Sequence, residues 1–391
     1  MHISQLINYY PKYEYLDNAL SMCGKEKLNI FLDLKGCMQS MYQEWAIRYV
    51  IEQSRGRMLD HSLFSSLLEF IAWHRKYRGK RHIEMNFYIF FEQGKSQYHK
   101  KIHSEYKANR NSCFFGLDAE SRELFFQTLD RNLEVIWKVC SKLPDVSCTH
   151  LNFTEADFVP YYLQEYVINC HDACNIIYSA DKDMLQCLAH ENTFQYFKVA
   201  KQAKMISRDT MWQHFFKTED HVPVSIDMFP IALAIIGDEG DGFSGPHILK
   251  TVKSGKQRKQ GVGPVGLKNV LPLIEKITGG ANQIFDNIEA GNSIWLKKPL
   301  DGLGSKDRKI MKLLYDQEDI VVRNIRLASY ELLSRYVREN YPIDRIKLRE
   351  SIESSVIDQN KIKSGRVLHA ALDKAGLMPV VQEQTVYNLF L

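Results

Sequence analysis

The stretch LNIFLDL, residues 28–34, is an apolar run that carries a single carboxylate, Asp33. Its length and its Leu, Ile and Phe content predict a β-strand buried on both faces, as strands of parallel sheets usually are. Further runs of this kind occur at residues 86–91, 147–153, 175–179 and 194–199, and stretches of helical spacing separate several of them. This alternation predicts an α/β protein with a parallel central sheet flanked by helices.

Carboxylates stand at or just after the ends of these predicted strands. They are Asp33, Glu92, Glu155, Asp157, Asp181 and Asp183, and a further pair, Asp238 and Asp241, follows the apolar run at residues 231–236. Ligands of open α/β sheets bind beyond the carboxyl ends of the strands, so these side chains are expected to meet at one edge. Carboxylates brought together repel each other unless cations lie between them, and oxygen ligands of this kind suit Mg²⁺ or Mn²⁺.

Three basic segments interrupt the pattern. EYKANR (residues 105–110) lies between the first carboxylates and the later ones and suits a phosphate ligand. HRKYRGKRH (residues 74–82) is expected to be a solvated loop, with a nucleic-acid contact as the alternative. KTVKSGKQRKQ (residues 250–260) contributes Lys250, Lys253, Lys256, Arg258 and Lys259. Carboxylate-bound metals together with a cationic segment favour cleavage of phosphodiesters.

The bulk properties are those of an ordinary globular chain with 45% hydrophobic and 25% charged residues. A length of 391 residues is enough for two domains, and a net charge of +4 permits a nucleic-acid partner without requiring one. The eight cysteines include no CxxC pair, so reduced core thiols are expected. No apolar run approaches the roughly 20 residues of a membrane span, and the N-terminus has no secretory pattern, so a cytoplasmic protein with no membrane contact is expected.

Taken together, these residues resemble the structure-specific 5′ nuclease superfamily, which includes flap endonucleases and phage 5′–3′ exonucleases with ribonuclease H activity. Five motifs occur in the family order between residues 28 and about 275. They are FLDLKG, FFEQGKSQYHKKIHSEYKANR, EADF, SADKDMLQ and IGDEGDGFSG, and GVGPVGLKNVLPLI follows them. The resemblance implies a PIN-like nuclease core in residues 1–205 with a helical arch near residues 95–130. It also implies a helical region in residues 206–391, with a duplex-binding helix–three-turn–helix near residues 230–275.

Three departures from the family pattern stand out. Glu92 occupies a position where the family usually has aspartate, and Phe158 ends a motif that reads EADD in many members. Fifteen residues separate Gly245 from Gly261, where many members have only a few. This insert either extends the contact with duplex DNA or forms a mobile loop, and the sequence leaves both open.

The resemblance also implies roles for individual residues. Two Mg²⁺ or Mn²⁺ ions would be held by Asp33, Glu92, Glu155, Asp157, Asp181, Asp183, Asp238 and Asp241, with Asp33 essential to catalysis. In the arch, Lys107 and Arg110 would approach the scissile phosphate, and Tyr106 would stack on the terminal base. Gly261, Gly263 and Gly266 would let the backbone approach duplex phosphates, with a potassium ion at the same element, and the cations of the insert would add contacts.

The implied activity is hydrolysis at the 5′ ends of duplex, flap or RNA-primer substrates during DNA replication. A phage-type, free-standing monomer acting in the host cytoplasm on flapped DNA and RNA–DNA hybrids is expected. A single-strand-binding protein and a sliding clamp are further candidate partners, the clamp through the C-terminal residues Gln384, Tyr387, Phe390 and Leu391 unless that segment packs on its own domain. A PIN-like single-strand ribonuclease and a non-catalytic DNA-junction binder are the alternatives.

Overall fold

The computed structural model describes residues 12–34, 62–92, 96–108, 119–151, 154–199, 202–251, 257–295, 300–341, 346–347, 362–374 and 383–390. Its centre is a six-stranded sheet in the order β3-β2-β1-β4-β5-β6. The strands are β1 (Lys27–Asp33), β2 (Glu84–Glu92), β3 (Val146–Leu151), β4 (Cys174–Tyr178), β5 (Thr193–Val199) and β6 (Gln202–Ser207). The first five pair in parallel, and β6 pairs antiparallel to β5.

The strand order reverses between β1 and β4, which are direct neighbours at the centre of the sheet. The chain runs outward from β1 through β2 to β3 and then returns to β4 on the other side of β1. At such a switch point, the loops beyond the two strands diverge and leave a crevice at the carboxyl edge. Asp33 is the last residue of β1, so the fold places it at the crevice.

Fourteen α-helices occur within the described residues. They are α1 (Tyr13–Cys23), α2 (Ser62–Arg81), α3 (Gln97–Ile102), α4 (Ala119–Cys140), α5 (Val159–Tyr166), α6 (Met211–Phe216), α7 (Phe229–Ile236), α8 (Pro264–Thr278), α9 (Ala281–Ala290), α10 (Ser305–Asp316), α11 (Glu318–Ala328), α12 (Tyr330–Asn340), α13 (Gly365–Lys374) and α14 (Glu383–Asn388). None of them combines the length and apolar composition of a membrane-spanning segment. The predicted α/β class with a mostly parallel sheet is confirmed.

One strand was not predicted, and one prediction is wrong. Residues 202–207 form a sixth strand. The basic segment at residues 74–82 is mostly the end of α2 rather than a loop. Its Arg75 is only 1% exposed and donates hydrogen bonds to the carbonyls of Leu389 and Pro144, while Arg78 pairs with Asp145 at 2.9 Å. These cations therefore hold the fold together and are not free for nucleic acid.

The C-terminal helices pack against the sheet domain. Leu368 and Leu372 of α13, Val386 of α14 and the following Leu389 are buried in the same cluster as residues of β1, β2 and α2. Phe390 packs against this cluster and is partly buried. Val386, Leu389 and Phe390 therefore pack on the chain itself, which is one of the two alternatives expected for this segment, whereas Tyr387 is 46% exposed and a clamp contact stays a prediction. The division into domains at residue 205 stays a prediction.

Leu389→Ala is expected to lower the free energy of unfolding by about 2–5 kcal/mol, because it opens a cavity at a fully buried position. Val367→Ala is the control, since it makes a comparable apolar truncation at a side chain that is 55% exposed on α13. Denaturant titration measures both. Equal and small effects of the two variants would mean that the C-terminal segment is not part of the core.

Candidate metal centre

The chain following β4 carries the motif SADKD and turns sharply at the end of the strand. Ser179 Oγ accepts a hydrogen bond from the Asp181 amide at 3.0 Å, and Asp181 Oδ1 accepts one from the Asp183 amide at 3.0 Å. Gln195 of β5 donates to the carbonyls of Ser179 and Asp181 at 2.9 and 2.7 Å. The strand ends at Tyr178, so a turn and not the strand positions the two aspartates.

The EADF motif forms a 3-10 turn at Ala156–Phe158 that leads directly into α5, with Pro160 in its first turn. Neither of these helix starts has a side-chain hydrogen-bond cap. Phe158 is fully buried, and its ring lies 5.8 Å from that of Tyr330 on α12. The family's last aspartate is thus replaced here by a core residue that joins the sheet domain to α12.

The GDEGD loop is a tight turn closed by the short strands β7 (Gly237–Asp238) and β8 (Phe243–Ser244). Gly237 has a φ of +82°, and a Cβ atom there would lie 2.2 Å from the Gly245 nitrogen, so only glycine fits. Asp238 Oδ1 accepts hydrogen bonds from the amides of Gly240 and Asp241 at 2.8 and 3.3 Å. The loop therefore fixes its own carboxylates by backbone contacts.

Carboxylates from separate motifs converge at this point. Ligand oxygens of Asp183, Asp238 and Asp241 all lie within 4.8 Å of one another. Burial and the neighbouring Glu155 hold the pKa of Asp157 well above its usual range, and Asp181 and Asp33 act in the same direction. Asp33, Glu155, Asp157, Asp181, Asp183, Asp238 and Asp241 thus belong to one electrostatic cluster.

The donor set fits hard divalent cations. Burial, then Asp181 and Asp241, raises the pKa of Asp183 well above its usual range, so the ionised cluster is unfavourable without a compensating charge. Burial, and then the nearby Asp157 and Asp183, raise the pKa of the Tyr330 hydroxyl well above its usual value. This buried hydroxyl has no hydrogen-bond partner among the described residues. Crowded carboxylates beside an unsatisfied buried hydroxyl are consistent with a site completed by metal and ordered water.

Two lysines supply positive charge at the rim of the cluster. Lys107 Nζ lies 2.5 Å from Glu155 Oε2 and 3.9 Å from Asp241 Oδ1, and Lys182 Nζ lies 2.7 Å from Asp238 Oδ2. Burial disfavours ionisation of Glu155, but Lys107, His99 and the Tyr106 hydroxyl together outweigh that effect and lower the pKa of this carboxyl. Lys107 and Lys182 thus bring two positive charges to the carboxylate cluster.

The Tyr106 side chain does not suit the predicted stacking on a terminal base. It is 7% exposed, its ring stacks on that of His99 at 4.6 Å, and its hydroxyl donates toward Glu155 and Asp241. Burial and the nearby carboxylates raise its pKa well above the usual value, so the hydroxyl stays protonated. In this conformation both the ring and the hydroxyl are already engaged, and the expected stacking on a terminal base stays a prediction.

Several predicted site residues are described only in part. Glu92 ends β2 beside β1, but its side chain lies outside the described part of the structure, as does all of Arg110. The insert forms an antiparallel hairpin of β9 (His247–Thr251) and β10 (Gln257–Gly261), with Lys250 directly opposite Arg258. The backbones of Lys250, Arg258 and Lys259 are therefore placed, whereas Lys253 and Lys256 lie outside the described residues. The residues of the insert that pair with each other therefore form a hairpin and not a mobile loop.

The glycines before α8 divide into two kinds. Gly261 and Gly263 are exposed, and a Cβ atom at Gly263 would meet nothing within 4 Å. Gly266 instead faces inward, since a Cβ there would lie 2.8 Å from Ile310 Cδ1 of α10. Gly266 therefore lies on the side of α8 that packs against α10, and its predicted approach to DNA stays a prediction.

Sequence reasoning missed four residues that shape the site. Lys182 neutralises Asp238, and His99 supports Tyr106. Gln186 donates to the Ala328 carbonyl at 2.9 Å and accepts from the Tyr330 amide at 3.0 Å, which ties the junction of α11 and α12 to the SADKDMLQ motif. Lys182 and Gln186 were visible inside that motif, whereas nothing in the sequence around Tyr330 indicates its position.

Solved structures with the same fold come from bacteriophage T5. The T5 D15 protein, crystallised with metal ions, matches with a TM-score of 0.55 at 17% identity, over 84% of this chain and 99% of that one. The T5 D15 flap endonuclease in a complex with DNA and metal ions gives 0.54 at 17% identity, over 85% and 100%. A mutant of T5 5′-exonuclease gives 0.50 at 15% identity, over 84% and 99%.

No family model and no curated protein sequence matches the chain. The structural matches span nearly the whole length of the T5 proteins, so the likeness is not confined to a common sheet motif. The chain shares its fold with the T5 D15 flap endonuclease and the T5 5′-exonuclease, and the resemblance read from the sequence motifs is confirmed at the level of the fold.

Proposed function

We propose that this protein is a metal-dependent 5′ nuclease that hydrolyses phosphodiesters at the 5′ ends of duplex, flap or RNA-primer substrates during DNA replication. The observation that carries the proposal is the convergence of carboxylates from separate motifs, with Lys107 at their rim, at the switch point of the sheet. The T5 proteins of the same fold are called a flap endonuclease and a 5′-exonuclease, which supports a phage-type replication role.

Two Mg²⁺ or Mn²⁺ ions are proposed as cofactors. The candidate ligands are Asp33, Glu92, Glu155, Asp157, Asp181, Asp183, Asp238 and Asp241, some of them acting through water. When bound, such ions supply an acidified water and stabilise the leaving oxygen. The chain's own contribution is to fix the carboxylates by amide hydrogen bonds and to hold the Lys107 ammonium against Glu155. Lys107 and Arg110 are proposed to neutralise charge that develops on the scissile phosphate.

Duplex binding is proposed for the hairpin of β9 and β10 and for the turn that opens α8. Lys250 and Arg258 are directly opposed in the hairpin register, and like charges in such pairs destabilise a hairpin unless an anion lies nearby. Gly261 and Gly263 are exposed between this hairpin and the 15-residue helix α8, and amides at the start of a helix can bind phosphate. A potassium ion at this turn belongs to the same proposal.

Replacing Lys250, Arg258 and Lys259 together by glutamine is expected to flatten the salt dependence of duplex affinity. Each lost phosphate contact should reduce the slope of log K against log [salt] by about 0.9. Fluorescence anisotropy at several salt concentrations measures the slope. Arg366→Gln with Lys374→Gln is the matched control, since both are exposed cations on α13. An unchanged slope in the triple variant would show that the hairpin does not contact DNA.

A monomer in the host cytoplasm is proposed, with flapped DNA and RNA–DNA hybrids as substrates and a single-strand-binding protein as a candidate partner. A clamp contact through the C-terminal residues is not carried further, because Leu389 and Val386 are buried in the chain's own core.

A substrate panel tests the proposal. The protein is incubated with Mg²⁺ and one of three labelled molecules: a 5′-flap DNA, an RNA–DNA hybrid with a 5′ RNA end, or single-stranded RNA. Cleavage near the flap junction and at the hybrid 5′ end is expected. Cleavage of single-stranded RNA alone would favour the PIN-like ribonuclease, and tight flap binding without cleavage would favour the junction binder.

A further inference from the structure

The Tyr106 hydroxyl lies between carboxylates that belong to different sequence motifs. Its Oη is 3.0 Å from Glu155 Oε2 and 3.2 Å from Asp241 Oδ2. Glu155 stands in the turn before α5, whereas Asp241 stands in the loop between β7 and β8. A tyrosine hydroxyl has one proton, so the two acceptors share it and are held at a separation that the Oη atom sets.

The Tyr106 ring is held in place by stacking on the His99 ring. The two rings are nearly parallel, with an interplanar angle of 12° and centroids 4.6 Å apart. His99 is itself held by Ser96 Oγ at 2.5 Å and by the Leu327 carbonyl at 3.1 Å. Because ring and support are both buried, the direction of the Tyr106 hydroxyl is determined by packing as well as by its acceptors.

The backbone also connects Tyr106 to the Asp241 loop. The Lys107 amide donates to the Asp241 carbonyl at 3.0 Å. Gly242 has a φ of +84°, and a Cβ atom there would lie 3.2 Å from the Glu105 carbonyl and 3.3 Å from the Lys107 nitrogen. The loop therefore packs backbone to backbone against the segment that carries Tyr106.

We propose that Tyr106 is a positioning residue that sets the spacing of the Glu155 and Asp241 carboxylates for divalent-cation binding. This inference rests on the proposed function, in which both carboxylates belong to the metal centre. A hydrogen bond from a fixed donor holds a carboxylate in one orientation, and partners of this kind are typically worth about 10–100-fold in metal affinity. The same contacts keep the ring away from a substrate base, so the residue acts on the metal ligands and not on DNA.

Tyr106→Phe isolates the hydroxyl, because it removes one oxygen atom and keeps the ring that packs on His99. The Kd for Mn²⁺, measured by electron paramagnetic resonance on the full chain without DNA, is expected to rise about tenfold or more. Tyr98→Phe is the matched control, since it removes a buried tyrosine hydroxyl from the neighbouring helix α3. The control is expected to bind Mn²⁺ like the wild type.

The Mn²⁺ dependence of cleavage is a second measurement on the same variant. Tyr106→Phe is expected to need a higher Mn²⁺ concentration for half-maximal cleavage and to recover kcat when Mn²⁺ is saturating. Metal affinity equal to that of the wild type would overturn the inference. So would normal behaviour of Tyr106→Phe together with weakened flap binding by Tyr106→Leu, because that pair of results identifies a stacking ring. Failure of the wild type to bind Mn²⁺ at all would instead remove the proposed function.

Discussion

Asp183→Ala is expected to lower magnesium-dependent cleavage of a 5′ flap by about a thousandfold, because a misplaced metal forfeits several kcal/mol of transition-state stabilisation. Ligand oxygens of Asp183, Asp238 and Asp241 lie within 4.8 Å of one another. The variant should nevertheless be at least as stable as the wild type in metal-free buffer. Burial and neighbouring carboxylates raise the pKa of Asp183, so its removal relieves repulsion.

Single-turnover cleavage and thermal melting, each with and without Mg²⁺, measure the two effects. Mg²⁺ should raise the Tm of the wild type, since an ion that binds only the folded chain stabilises it, and should raise the Tm of Asp183→Ala much less. Asp209→Ala is the control, because it removes an exposed carboxylate outside the cluster. Near-normal cleavage by Asp183→Ala would contradict the assignment of the metal site. We expect Asp33→Ala and Asp181→Ala to lose activity in the same way.

Lys107→Ala is expected to slow the chemical step by about 10²–10³-fold, the usual cost of removing one preorganised donor to developing charge. The affinity for the flap substrate should change far less, because the Lys107 ammonium meets the phosphate mainly as the reaction proceeds. In metal-free buffer the variant should also lose stability, since Glu155 then stays buried without its lysine partner.

Rapid-quench single-turnover rates and equilibrium binding separate the two contributions of Lys107. Lys101→Ala is the matched control, because Lys101 is an exposed lysine of the same segment that contacts the Tyr336 hydroxyl. Weaker flap binding with an unchanged single-turnover rate would show that Lys107 binds the substrate but does not act in the chemical step.

The sequence predicted the centre of the fold well. The runs at β1, β2 and β4 are continuous and apolar because both faces of these strands are buried, and that composition is readable without a structure. The strand β6 was missed because QAKMIS mixes polar and apolar residues and takes its position from antiparallel pairing with β5. The burial of Arg75 was not predicted, because it depends on hydrogen bonds to two carbonyls that lie more than sixty residues away in the chain.

The carboxylate cluster was predictable for a similar reason. Each aspartate follows a strand or a helix whose end is visible in the sequence, and the sheet brings these ends to one edge. The position of Tyr106 was not predictable, because a tyrosine beside a lysine reads equally well as a stacking ring or as a buried donor. Only the packing of His99 against it and the approach of Gly242 decide between these roles.

Direct titration of the wild-type protein with Mn²⁺, followed by electron paramagnetic resonance, tests the central claim that these carboxylates form a divalent-metal centre. We expect saturable binding by the wild type, competition by Mg²⁺, and strongly weakened binding by Asp183→Ala, with Asp209→Ala unchanged. Wild-type protein that binds no Mn²⁺ above the level of Asp183→Ala, while remaining folded by circular dichroism, would contradict the account.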